Sequence, residues 1–132
     1  MAKTPDPGLS AELTARLDDA IQMWNRQEFF EAHEVMEEVW NEDTSEAATF
    51  VQGLLCAAVG FAKLDVDRPA GTQKMMVRAN EFLLSYVPHY LGIDVQALMD
   101  AFERCRVEAE KVVAHEKPEF NRALIPRLER SA

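Results

Sequence analysis

The stretch Phe50-Val51-Gln52-Gly53-Leu54-Leu55-Cys56-Ala57-Ala58-Val59-Gly60-Phe61-Ala62 contains one polar side chain, Gln52. It is too long for an ordinary strand and shows no apolar–polar alternation. A helix that is apolar around most of its circumference belongs at the centre of a bundle. Thr49, Gly53, Cys56 and Gly60 fall on one stripe of that helix. A helical glycine costs about 1 kcal/mol relative to alanine, so two on one stripe predict close approach by a neighbouring backbone. A ligand resting against the glycines is the alternative. The helix is predicted over 46–66, with Thr44 or Ser45 as its cap.

Helical periodicity continues outward in both directions. Upstream, 11–25 places Leu13, Leu17, Ile21 and Trp24 on one face behind a Ser10 cap, and a second helix is predicted over 27–41. Downstream, Asp67-Arg68-Pro69 ends the central helix and opens a fourth, since proline is tolerated in a first turn. That helix is predicted to run to Tyr86 with Met76, Ala79, Phe82 or Leu83, and Tyr86 inward. Asp94 caps a fifth over 95–115, whose face carries Leu98, Phe102, Cys105, Ala109 and Val112. Strand signals are absent. The expectation is an all-α, compact single-domain bundle of about five helices. Residues 1–10 are expected to form a disordered arm, 11–117 the bundle, and 118–132 a C-terminal arm packing back on it through Phe120, Leu124 and Ile125.

At 132 residues and 48% hydrophobic, the chain can fill one core without metal or disulfide support. Its net charge of −9 argues against nucleic acid, which needs clustered Lys and Arg, and favours a cationic ligand or metal over an anionic one. Cys56 and Cys105 lack Cys-x-x-Cys spacing and read as reduced core thiols of a cytoplasmic protein. The first ten residues hold no apolar run, and Gln52 and Lys63 interrupt the longest one, so neither a signal peptide nor a membrane span is expected.

The chemistry concentrates in Phe29-Phe30-Glu31-Ala32-His33-Glu34-Val35-Met36-Glu37-Glu38-Val39-Trp40. Phe29, His33, Met36 and Trp40 are spaced by four, three and four, one helical stripe that sets an imidazole among apolar neighbours. Glu37 follows His33 by one turn. The pattern His-Glu-x-x-Glu invites comparison with His-Glu-x-x-His, in which two imidazoles bind zinc and the glutamate activates water. Here His33 and Glu37 are two ligands at most, and neither His89 nor His115 has a partner at ligand spacing. The other reading is a satisfied buried network: with the second and third helices antiparallel and turning near Asp43, Gln52 is expected level with the His33–Glu37 turn. Glu31, Glu38 and Glu42 read as a solvated acidic edge, and Lys63 as a side chain snorkelling at the end of the bundle.

Phe29-Phe30-Glu31-Ala32-His33-Glu34 with Glu37 and Trp40, followed by Gln52-Gly53-Leu54-Leu55 and Gly71, resembles the domain of unknown function 309 family. The likeness spans roughly 17–98. It implies a compact helical bundle with no established activity, and its characteristic positions fall here on His33, Glu34, Glu37, Trp40, Gln52, Gly53 and Gly71. Members of that family commonly carry a histidine near the end of the Gln-Gly-Leu helix, where this chain has Lys63.

Two functions follow as expectations. One is a binding or interaction module with a semi-buried pocket for a small ligand formed by His33, Glu34, Glu37, Trp40, Gln52 and Gly53, compatible with a homodimer. The other is a metal-assisted hydrolase in which His33 and Glu37 hold a divalent metal and Glu34 is the general base.

Overall fold

The structure is a computed structural model that describes residues 8–131. Five helices carry it: α1 (Ala11–Asn25), α2 (Phe29–Glu42), α3 (Ala48–Asp65), α4 (Pro69–Leu83) and α5 (Val95–Val113). The all-α bundle expected from the sequence is the fold observed. Of the expected N-terminal arm, residues 1–7 lie outside the described residues, and Gly8 to Ser10 lead directly into α1.

Each helix packs on the next in sequence, α1 on α2, α2 on α3, α3 on α4 and α4 on α5. Short connections make neighbours antiparallel, so the C-terminal ends of α1, α3 and α5 gather at one end of the bundle with the starts of α2 and α4. Helix α3 is the central element. It is long and apolar enough to cross a membrane by length and composition, yet half of it is buried inside the bundle. Trp24, Phe29, Phe61 and Phe102 bring four helices together, with Trp24 centred 5.5 Å from Phe29 and from Phe61 and 6.1 Å from Phe102.

The stripe of small residues on α3 faces α4. A Cβ on Gly53 would stand 2.8 Å from Leu83 Cδ2 and 3.3 Å from the Ala79 carbonyl oxygen, and one on Gly60 would stand 2.8 Å from Met75 Cβ. Close packing, not ligand contact, accounts for both glycines. The buried Thr72 hydroxyl of α4 uses this approach to donate to Gly60 O at 2.6 Å.

Caps define the helix ends. Ser10 Oγ accepts from Leu13 N, and Asp94 Oδ1 accepts from Ala97 N, as the sequence predicts. Three C-terminal ends close in a way it does not: Gln27, Asp67 and His115 adopt φ of 62°, 56° and 61° just beyond α1, α3 and α5. The following amides reach back, Glu28 N to Met23 O, Arg68 N to Lys63 O and Glu116 N to Lys111 O, which satisfies carbonyls that would otherwise be orphaned. No glycine marks these stops; α1 still ends at Asn25, where the periodicity places it, and α3 ends at Asp65, one residue before the predicted end.

Between α4 and α5 the chain makes a 3-10 turn (Leu84–Tyr86) and a two-residue antiparallel ladder, His89 opposite Asp94 and Tyr90 opposite Ile93. Leu91 and Gly92 turn it, both with positive φ. Two residues per strand are too few to register as alternation. This turn anchors the C-terminal segment: Ser131 N donates to Gly92 O, and Arg130 donates to Leu91 O while pairing with Asp18 of α1. The same segment buries Ile125 and Leu128, receives Trp24 Nε1 on Pro126 O, and exchanges two bonds between Asn25 and the Leu128 backbone. Nearer α5, the buried Glu108 carboxylate accepts from Lys117 Nζ and from Asn121 N. Cys56 and Cys105 are free and buried, and burial pushes the Cys105 thiol up to about 12.

Candidate functional site

The inward face of α2 is Phe29, Ala32, Met36 and Val39. It shares Phe29 and Met36 with the stripe read from the sequence but is rotated away from His33 and Trp40, which flank it half-buried. His33 therefore stands at the rim of the bundle and not in its core. Its ring lies 5.1 Å from that of Phe30, and Nδ1 is 2.7 Å from the Phe30 carbonyl oxygen. A carbonyl oxygen only accepts, so the proton sits on Nδ1. Nε2 makes no hydrogen bond with a described residue.

The expected contact between His33 and Gln52 is not made. No hydrogen bond joins Gln52 to His33 or to any other described side chain. The connection between α2 and α3 occupies Asp43 to Ala47, and α3 begins at Ala48. Gln52 is then about 6 Å along α3, whereas His33 lies about 14 Å back from the end of α2. In an antiparallel pair, Gln52 belongs beside the last turn of α2.

His33 instead meets the far end of α3. Phe30, His33, Val59, Ala62, Lys63 and Val66 line one pocket of about 310 Å³. Phe30 and Val66 are 56% and 61% exposed, large apolar side chains left open at its mouth. Lys63 makes no ion pair and no hydrogen bond with a described residue. Its aliphatic stem lies on Gly71, where a Cβ would come within 2.9 Å of Lys63 Cγ. The lysine also lines a larger cleft of about 900 Å³ between the α3–α4 turn and the end of α5, together with Asp67, Arg68, Gly71, His115 and Lys117. The stem packed on Gly71 with an unpaired head agrees with the sequence reading of Lys63 as a side chain snorkelling at the end of the bundle. Lys63 is the group that joins the His33 pocket to the adjacent cleft.

The other expected site residues lie elsewhere. Glu34 and Glu37 are exposed and make no ion pair. Trp40 packs with Leu9 against Leu13, Val39 and Val51, a small apolar cluster at the opposite end of α2 from His33. Gly53 is closed off by Leu83 and Ala79, leaving no room for a ligand. Two members of the expected acidic edge are also committed, since Arg16 of α1 pairs with both Glu38 and Glu42. Among the described residues no three His, Cys, Asp or Glu side chains are grouped to hold a metal ion.

Phe30, Val59, Ala62 and Val66 were missed as pocket residues. Exposure of Phe30 beside a buried Phe29 was the available signal, because one of two adjacent aromatics on a helix must face outward.

No curated protein matches the chain. A family model, the domain of unknown function DUF309, matches residues 17–75. That span holds α1 from Leu17 onward, all of α2 and α3 and the first half of α4, and so includes His33, Lys63 and Gly71. Over residues 17–75 the chain is similar to the DUF309 family.

Proposed function

We propose that this protein is a small-ligand-binding module whose site is the pocket between the start of α2 and the end of α3. One observation carries the reading: His33 and Gly71, two positions far apart in the chain, both converge on the unpaired Lys63. An apolar concavity with few polar groups at its edge has the composition of a small-molecule site. Phe30, Val59, Ala62 and Val66 supply the apolar wall. His33 Nε2 and Lys63 Nζ supply orientation. The ring is held by its own helix through Phe30 O, so it is pre-positioned without a partner from another element.

Binding is favoured over the metal-assisted hydrolase because Glu34 and Glu37 stand in solvent and a third ligand for His33 has no candidate nearby among the described residues. The test is an amide and methyl NMR titration of the full chain with a fragment set. The proposal expects hits whose shifts centre on Phe30, His33, Val59, Ala62 and Val66, and which are lost in His33→Ala with the fold intact. Shifts centred on Gln52 and Trp40, or no hits at all, would overturn it.

A further inference from the structure

We infer that the ligand of this pocket is a small organic acid with an apolar body. The inference rests on the binding reading above and adds the chemical class. Of the six lining residues, four are apolar, and the two polar ones are a lysine and a histidine. No carboxylate lines the pocket. In a chain of net charge −9, a spot whose only polar groups are an ammonium and an imidazole runs against the overall balance.

Each candidate ligand class meets these two groups differently. An organic cation would face Lys63 with like charge and no acid to accept it. A neutral apolar molecule lying against the Lys63 head would displace water from it without giving it an acceptor, which leaves a charge desolvated and unpaired. A carboxylate supplies acceptors to Lys63 Nζ in a charge-assisted bond, while its carbon body lies on Phe30, Val59, Ala62 and Val66. The exposed acids of α2 do not serve that purpose internally, since neither Glu34 nor Glu37 pairs with Lys63. A volume of about 310 Å³ is at the small end for ligand sites, which points to a short molecule.

The experiment compares three probes of one body, hexanoate, 1-hexanol and hexylammonium, titrated into the full chain at neutral pH and followed through the pocket resonances. Hexanoate is expected to bind about tenfold or more tighter than hexanol, and hexylammonium more weakly than either. Lys63→Met keeps the stem and removes the charge, and it should bring hexanoate down to the level of hexanol. Lys74→Met, an exposed lysine away from the pocket, should leave the preference unchanged. Hexanol binding as well as hexanoate would overturn the acid class while leaving the pocket in place as a binding site. Absence of pocket shifts with all three would overturn it too, whatever the wider fragment set shows.

Discussion

The stem of Lys63 rests on the backbone of Gly71, where a Cβ at residue 71 would lie 2.9 Å from Lys63 Cγ and 3.2 Å from Cδ. The neighbour is a flexible side chain, so Gly71→Ala can be accommodated by moving Lys63. Alanine also favours the first turn of α4 by up to about 1 kcal/mol. The variant is therefore expected to melt at or slightly above the wild-type temperature while pocket ligands bind severalfold more weakly. Calorimetry and an NMR titration on the same sample check both halves. A large loss of stability, or unchanged affinity, would show that Gly71 does not position the lysine.

Gly60 poses the opposite case. Its close neighbours are Met75 Cβ at 2.8 Å, which cannot move without the α4 backbone, and Met76 Cε. Gly60→Ala is expected to force α3 and α4 apart and cost about 2 kcal/mol in chemical denaturation. Stability equal to wild type would mean that the helices are less closely apposed than described.

Gln27 occupies a left-handed conformation, φ 62°, immediately after α1. Glycine takes that conformation without the Cβ penalty, so Gln27→Gly should stabilise the protein by about 0.5–1 kcal/mol. The position is exposed and does not line the pocket, and pocket affinity should be unaffected. Thermal melts of the two proteins side by side provide the check.

Glu108 holds the C-terminal segment to α5. The hydrogen bond from Lys117 draws its carboxyl below the usual carboxylate range, against the opposing effect of burial, and the Asn121 N–H adds to the pull. A lowered folded value means that this stabilisation is complete above the ordinary carboxylate range, about 4.3, and is lost as pH falls through the folded value. Glu108→Gln should cost about 2 kcal/mol at neutral pH, since a charge-assisted bond is lost. The difference between the two proteins should narrow on acidification below about pH 4. Denaturant melts at several pH values would show it, and a gap that stays constant into acid would contradict the assignment.

Much of the architecture was legible because it depends on local rules. Ser10 and Asp94 are capping residues in front of apolar stripes, and Leu13, Leu17, Ile21 and Trp24 carry a period that only a helix satisfies. The glycine stripe of α3 was readable as close packing or as a ligand contact, and the approach of Leu83 and Met75 to Gly53 and Gly60 decides for packing. The site was harder to read. Phe29, His33, Met36 and Trp40 form a valid helical stripe, but so do Phe29, Ala32, Met36 and Val39, one step of rotation away. Choosing between them needs the neighbours that α2 meets. The level of Gln52 depended on where α3 begins, and a connection ending at Ala47 sets it nearer the end of α2 than His33. Non-glycine stops at Gln27, Asp67 and His115 had no sequence signal, because their left-handed conformation is imposed by the bonds the following amides make.

The most direct test of the central claim, that His33 is tethered by Phe30 and faces the Lys63 end of α3, is an NMR measurement of its ring on the unliganded protein. Long-range nitrogen correlation should show the neutral ring protonated on Nδ1. Nuclear Overhauser contacts should run from the ring protons to Phe30 and to the Val59–Lys63 segment. A ring protonated on Nε2, with contacts to the Gln52 side-chain amide, would contradict the account.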